Sequence, residues 1–299
     1  MTTVQDLIDR TRQHVMSGQP DRINILAGAI AADVLVTTFE LTRELKGIAE
    51  GSRLSIGTEE FHVLALSGTT AGSTVTVIRA FDGTTLSAHA AGDIVRVNPQ
   101  FSDYRILKSM QECIEGLTGD GLYQVKTVEF PYLPARMGYD LGTATGILDV
   151  YRVSYGVPGP TQNWPIFPRS YWEYDPAADT TQFPSGKSLI LKAPAWPGQN
   201  IKVAYKTDFV APTLTSTDMA TVGLQPSAYD IPPMGAALRV NLGRDIKRTF
   251  LTRQPEPRRQ EEVPPNSAQG AIQALTNWYY RAINREIAVL NRLYPMQSY

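Results

Sequence analysis

The chain has 299 residues, of which 42% are hydrophobic and 19% charged, and its 28 basic and 29 acidic side chains nearly cancel. This composition excludes a disordered chain and allows two or three domains with ordinary cores. No run of 18 apolar residues occurs and residues 1 to 20 read as an amphipathic helix, so neither a membrane span nor a secretory signal is expected; one cysteine excludes an intramolecular disulfide and a cysteine-rich metal site, in keeping with assembly in a reducing cytoplasm.

The first predicted element is a helix from Val4 to Val15, with Thr3 as N-cap, Val4, Leu7, Ile8 and Val15 on one face, and Gly18 to Pro20 as its stop. A β-module spans 21–99. Its candidate strands are Ile23 to Leu26, Val34 to Phe39, Arg53 to Ile56, Phe61 to Leu66, Val75 to Arg79 and Ile94 to Val97, short runs with turn signals that point to a small barrel or sandwich. The last two arms are expected to pair as a hairpin. Asp82-Gly83 suits the positive-φ positions of a tight turn between them, and Ala88 to Gly92 is expected to form a compact turn over the end of a sheet.

A second helix, within 100–120, starts at a Ser102 cap with Phe101 positioned to staple onto Ile106, and stops near Gly119; Cys113 keeps step with Met110, Ile114 and Leu117 as a buried thiol. The β-rich region 121–211 follows. Only Pro20 and Pro99 precede residue 131, so 19 of the 21 prolines lie beyond them, and Pro158, Pro160, Pro165, Pro168, Pro176 and Pro184 mark loops and edges. Strands are predicted at Leu122 to Phe130, Ile147 to Tyr155, Tyr171 to Tyr174, Ser188 to Lys192 and Ile201 to Lys206, making a proline-edged sandwich.

Helix returns in 212–251, where Asp230 precedes Pro232-Pro233 and Met234, Leu238, Leu242, Ile246 and Phe250 recur every four residues. Residues 252–266 hold four prolines and balanced charge, and read as an extended connector. The last helix, within 267–299, runs from Ser267 to Leu293 with an apolar stripe of Ile272, Leu275, Tyr279, Ile283, Ile287, Leu290 and Leu293. The fold class is therefore α+β: a helical platform with segments 1–20 and 100–120, two β-rich modules, a C-terminal helical segment at 212–251 and a long C-terminal helix. Charge divides along the chain. Residues 1–235 carry 18 basic and 24 acidic groups, a net −6, and residues 236–299 carry ten basic and five acidic, a net +5. Such polarity suits a protein that meets different partners at its two ends, with a solvated basic helix face as the bland alternative.

Chemistry-bearing motifs are sparse. His14, His62 and His89 lack a second ligand at metal spacing, and Gly186-Lys187-Ser188 imitates the end of a P-loop but leads into a strand-like run, with Thr181 where the first glycine would stand. Tyr171, Trp172, Glu173, Tyr174 and Asp175 set aromatics beside carboxylates, a composition that also fits a strand with one face in the core. Neither a catalytic residue nor a cofactor is expected. Arg239, Arg244, Lys247 and Arg248, without interleaved aromatics, favour a protein contact over sequence-specific DNA binding, and Ile272, Tyr279, Ile283, Ile287 and Leu290 supply apolar area for it.

The stretch Thr74 to Ser102, TVTVIRAFDGTTLSAHAAGDIVRVNPQFS, resembles a small β-module of tailed-phage virion proteins, and with Asn98-Pro99 leading into the Ser102 helix the whole chain resembles the head-to-tail adaptor (connector) family. That resemblance implies a non-enzymatic ring, of twelve copies to match the portal, that docks on the portal and a downstream neck or tail protein and lets double-stranded DNA pass without sequence preference. It places the protein in the virion neck, assembled in the host cytoplasm. The alternatives are another neck or tail component, a stopper or tail-end protein, and a carbohydrate-binding or cell-wall-degrading virion protein.

Overall fold

A computed structural model describes residues 2–15, 21–142, 144, 146–159, 164–252 and 267–294, with the side chains of 242–252, 267–269 and 271 outside the description. The chain is mixed α and β, with several antiparallel sheets and a long C-terminal helix. It divides into two compact units, Met1–Ile114 with Ala211–Ala282, and Glu115–Val210 with Ile283–Tyr299.

In the first unit, helix α1 (Val4–Val15) begins where predicted because Thr3 and Asp6 cap it reciprocally. The Asp6 N–H donates to Thr3 Oγ1 (3.3 Å) and the Thr3 N–H donates to the Asp6 carboxylate (2.8 Å). Six strands follow: β1 (Arg22–Ile25), β2 (Thr38–Glu40), β3 (Arg53–Ile56), β4 (Glu59–Leu66), β5 (Thr74–Ile78) and β6 (Ile94–Val97). They form one antiparallel sheet in the order β1-β6-β3-β4-β5-β2. A bridge between Leu26 and Leu41 ties its two edges together, with the Ala27 N–H on the Glu40 carbonyl (3.0 Å) and the Thr42 N–H on the Ile25 carbonyl (2.9 Å). Leu54, Phe61, Val63, Val75, Val77 and Val95 belong to its buried core.

Two expectations for this region need correction. The arms around Asp82-Gly83 do not pair: β5 lies between β4 and β2, whereas β6 lies between β1 and β3. Asp82 and Gly83 do take positive φ (57° and 77°), but the chain then runs on across β4 and β3, and His89 bridges to Ile30. The second correction concerns Val34 to Phe39, of which only Thr38 and Phe39 are strand, in β2. The β-branched run fails to extend because Asp33 starts a tight turn, its carboxylate accepting the Leu35 N–H (2.9 Å) and its carbonyl the Val36 N–H (3.2 Å).

Helix α2 (Asp103–Gly116) opens on Ser102, whose Oγ accepts from the Arg105 N–H (3.4 Å) and whose carbonyl accepts from the Ile106 N–H (3.1 Å). Asn98, at φ 47°, turns the chain toward it, and exchanges hydrogen bonds with the Arg53 backbone, donating to the carbonyl (2.8 Å) and accepting at its side chain from the N–H (2.9 Å). A short helix α3 (Met219–Val222) is capped by Asp218 and stopped by Gly223. Helix α4 (Ile231–Thr252) carries Pro232-Pro233 in its first turn, as predicted, and packs against α1. Helix α5 (Ser267–Leu293) has its predicted limits. The predicted stop at Gly18 to Pro20 and the predicted connector at 252–266 lie outside the described residues, except that Thr252 is the last residue of α4.

The second unit holds β7 (Gln124–Pro131), β8 (Gly138–Asp140), β9 (Ile147–Tyr155), β10 (Trp172–Asp175), β11 (Ser188–Leu191) and β12 (Asn200–Thr207). They make two three-stranded antiparallel sheets, β10-β11-β8 and β7-β12-β9. Both contribute to one core that includes Tyr139, Val153, Trp172, Leu189, Ile201 and Val203. Pro158, Pro165, Pro168, Pro176 and Pro184 all fall outside strands, and Pro160 lies outside the described residues. Strand β8 was not legible, since Gly-Tyr-Asp contains no β-branched residue and only pairing with β11 makes it a strand.

Within the first unit, α2, α4 and α5 converge at Gly235. A methyl group there would sit 2.2 Å from Cys113 Sγ and 3.0 Å from the Tyr279 ring, so only glycine admits this approach. The Cys113 sulfur lies 3.6 Å from the Tyr279 hydroxyl, and both side chains are buried. Gly235→Ala is expected to cost about 1–3 kcal/mol of stability in chemical denaturation, as overpacking does. The penalty should shrink in a Cys113→Ala background, where Sγ is gone; equal penalties in the two backgrounds would contradict the packing account.

Candidate interaction surface

A buried ionic cluster holds the crossing segment in place. Glu59, at the start of β4, and Arg79, just past β5, are enclosed and face each other in a forked pair, Nε to Oε1 at 3.0 Å and Nη2 to Oε2 at 2.8 Å. All five guanidinium protons are used: Nη1 also donates to the carbonyls of Ala31 and Asp33, and Nη2 to that of Ser87. The Glu59 carboxylate further accepts the N–H groups of Ala80 (3.2 Å) and Ser87 (3.0 Å), and His89 Nε2 lies 2.9 Å from it. A carboxylate there can only accept, so Nε2 carries the proton. Burial alone would push the Glu59 carboxyl upward. The hydrogen bonds from His89, Arg79, Ser87 and Ala80 outweigh it and hold the group at about 2.

Ser87, His89 and Asp93 run in an order suggestive of a nucleophile, base and orienting acid. The geometry assigns them otherwise: His89 Nε2 is bound to Glu59, the Ser87 hydroxyl points to the same carboxylate (3.3 Å), and Asp93 stands 4.0 Å from Nδ1. The cluster is a clamp on backbone. A second cluster ties α1 to α2 and the sheet: Arg12 contacts Asp103 and lies 3.7 Å from Asp21, while Arg96 lies 3.7 Å from Asp21 and 4.0 Å from Asp103. Burial raises the Asp103 carboxyl above its usual range against the pull of the two arginines. Beside it, Glu60 accepts the Ser102 hydroxyl, and Arg53 reaches Glu60 (3.5 Å), Asp82 (3.0 Å) and the Phe81 ring face.

Of the predicted contact residues, Arg239 lies along α2 at the surface, its Nη2 donating to the Glu112 carbonyl (3.2 Å) with the Glu112 carboxylate 3.8 Å from Nε. The side chains of Arg244, Lys247 and Arg248 lie outside the described residues. Along α5, Ile272 is half-buried and Tyr279 buried in the first unit; in the second, Ile283 is buried and Ile287 and Leu290 are half-buried. A methyl group on Gly121 would sit 3.7 Å from Ile287 Cδ1, and Tyr294 sets its ring edge-on to Tyr151. Much of the predicted stripe is thus covered by its own chain, and the exposed aromatics of α5 are Trp278 and Tyr280, off that stripe.

The aromatic and acidic run at 171–175 does not present a sugar platform. Trp172 is buried, with the Arg169 guanidinium 3.8 Å above its ring, and Glu173 pairs with Lys192 (2.8 Å), whose hydrogen bond and charge hold its carboxyl below the usual range. Lys187, the lysine of the P-loop-like triplet, donates to the Ile147 carbonyl (2.8 Å). His62 stacks on Phe81. Among the described residues no group of three His, Cys, Asp or Glu side chains could hold a metal ion, and no helix is long and apolar enough to cross a membrane. Sequence reasoning missed Glu59, Arg79 and the turn at 33–36; the available signal was two adjacent glutamates entering an otherwise apolar strand, where burial demands partners.

The molecule is an α+β protein whose buried charges are spent on fixing loops. No family model and no curated protein matches its sequence.

Because the Glu59 carboxyl titrates near 2 when folded against an ordinary value of 4.5, the unfolded chain binds its proton first as the pH falls. Its contribution is therefore complete above about pH 4.5 and lost between there and about pH 2, a difference of about 3 kcal/mol. Glu59→Gln should remove this acid-dependent component and, by leaving Arg79 buried without its counter-charge, destabilise the protein by about 3–5 kcal/mol at neutral pH. Denaturant titrations from pH 2 to 7 check both; parallel curves for variant and wild type would contradict the assignment.

Proposed function

We propose that the chain is a structural subunit of the neck of a tailed bacteriophage, a head-to-tail adaptor that assembles into a ring beneath the portal and forms part of the DNA channel. The observation that carries the reading is the segment from Thr74 to Ser102, in which strand, positive-φ turn, clamped crossing, second strand and capped helix follow one another with the crossing pinned by buried hydrogen bonds. Such a module is a rigid mount, which suits a part that must keep its shape while DNA passes. In this reading the six strands act as a small closed barrel, the proline-edged region as a sandwich, and α1, α2 and α4 as the platform that carries them. The basic segment from Arg239 and the surface of α5 would meet acidic and apolar surfaces of the portal, and a downstream neck or tail protein would bind a different surface. The same module would serve another neck component, a stopper or tail-end protein, in which case the C-terminal helices would not bind a portal.

The experiment is negative-stain imaging and size-exclusion chromatography of the purified protein, alone and mixed with a portal assembly. Rings of about twelve copies that co-elute with the portal are expected, the number following from the symmetry of a matching ring. Rings that ignore the portal would favour the other neck component, and a chain that stays monomeric and unbound in both conditions would overturn the reading.

A further inference from the structure

Strand β7 leaves one side of its backbone unpaired. It stands at the end of the β7-β12-β9 sheet and pairs with β12 alone, without a register shift along its eight residues. The Tyr132 N–H donates to the Gln199 carbonyl (2.9 Å), one step beyond that ladder, and this fixes its phase: Gln124, Lys126, Val128 and Phe130 bond to β12, whereas Val125, Thr127, Glu129 and Pro131 turn their backbone groups away from it. Among the described residues, no hydrogen bond satisfies the N–H or carbonyl groups of Val125, Thr127 or Glu129. The other edges are short or taken. Strands β1 and β10 have four residues and β2 and β8 three, while β9 is met by the 165–167 segment, the Tyr155 N–H donating to the Pro165 carbonyl (3.0 Å) and the Phe167 N–H to that of Val153 (2.8 Å).

An open edge of this length is a template for another strand, which proteins guard against with bulges, prolines and inward-pointing charges. In β7 the proline, Pro131, stands at the very end, and the core-side residues Val128 and Phe130 are only half-buried, so the core of the second unit runs out at this strand. What completes it follows from the strand's own sequence. When two copies of β7 run antiparallel about a two-fold axis at Thr127, Val125 faces Glu129 and Thr127 faces its own copy, so every outward N–H on either strand meets a carbonyl. An axis at Val128 would set Val125 against Pro131, which has no donor, and an axis at Lys126 would carry Glu129 past the strand end to Tyr123. With the axis at Thr127 no like charges are opposed: threonine meets threonine, a favourable pair, and Lys126, the one inward-pointing charge, lies opposite Val128.

We propose that β7 pairs with β7 of a second copy, antiparallel and centred on Thr127, joining two β7-β12-β9 sheets into one continuous sheet across a dimer. The contact is β-augmentation in which the chain itself supplies the added strand. It is isologous, so it closes at two copies and does not propagate. The dimer is therefore a state of the free subunit and goes beyond the adaptor reading, since a ring is built on a heterologous contact made by other surfaces.

The test uses the full-length protein in sedimentation velocity and native mass spectrometry, where dimers should form as concentration rises. Thr127→Pro removes the central donor from both copies without touching the ladder to β12, so it should raise the concentration of half-dimerisation by at least about tenfold while thermal melting stays near that of the wild type. Register is read by oxidising single-cysteine variants. Thr127→Cys should give a disulfide-linked dimer, because directly opposed Cα atoms in a hydrogen-bonded pair lie about 5.5 Å apart; Val125→Cys alone should not, and Val125→Cys mixed with Glu129→Cys should. The cysteine variants keep every backbone donor, so they decide the matter even where Thr127→Pro weakens the sheet. Wild type that stays monomeric, association of Thr127→Pro at wild-type strength, or disulfides in another register would overturn the dimer. None of these outcomes bears on portal binding, by which the adaptor reading is judged.

Discussion

The forked pair between Glu59 and Arg79 is the constraint on which the first unit depends. It lies where three chain segments that are distant in sequence meet: the turn at Ala31–Asp33, the entry to β4, and the crossing segment at Ser87–His89. A buried ion pair seldom adds much net stability over an apolar substitute, because desolvation consumes most of the attraction. What it supplies here is position. An apolar pair would fill the volume, yet could not satisfy the carbonyls of Ala31, Asp33 and Ser87 or the N–H groups of Ala80 and Ser87, and those backbone groups would be left buried without partners. The chain leaving β5 is thereby anchored at Ser87 and His89 before it enters β6, on the far side of β3.

This explains which features could be read from the sequence and which could not. Helices α1, α2 and α5 were legible because their information is local: Thr3 and Ser102 cap, apolar residues recur at helical spacing, and Ser267–Leu293 carries one stripe. The positive-φ turn at Asp82-Gly83 was legible for the same reason. Partner choice between strands was not. Val75, Val77, Ile94 and Val95 satisfy any hairpin template, and what keeps β5 and β6 apart is contact between residues distant in sequence, the ladders to β2, β4, β1 and β3 and the link from Arg79 to Glu59 among them. Val34 and Leu35 failed as strand for a related reason, since their conformation is dictated by Asp33 and by the guanidinium beneath.

Functionally, the contrast between buried and exposed groups matters more than any single motif. One arginine expected to meet partners, Arg239, is paired with Glu112 of its own chain, and much of the α5 stripe is at least half-buried. Among the described residues, the exposed large apolar side chains include Val34, Leu35 and Met137 on braced loops and the α5 aromatics Trp278 and Tyr280. A proposed assembly part needs such surfaces held at fixed geometry, and the clamp provides that geometry in the first unit as the Tyr139 hydroxyl does in the second.

The central claim, that the guanidinium fork positions the 31–36 turn and the crossing segment, is tested most directly by amide hydrogen exchange on Arg79→Lys. Lysine keeps the charge beside Glu59 but cannot reach all the carbonyls the fork holds. The amides of Ile30, Asp33, Val36, Ser87 and His89 should exchange markedly faster than in the wild type, while those of β3 and β4 keep their protection. Unchanged exchange at those five amides would contradict the claim.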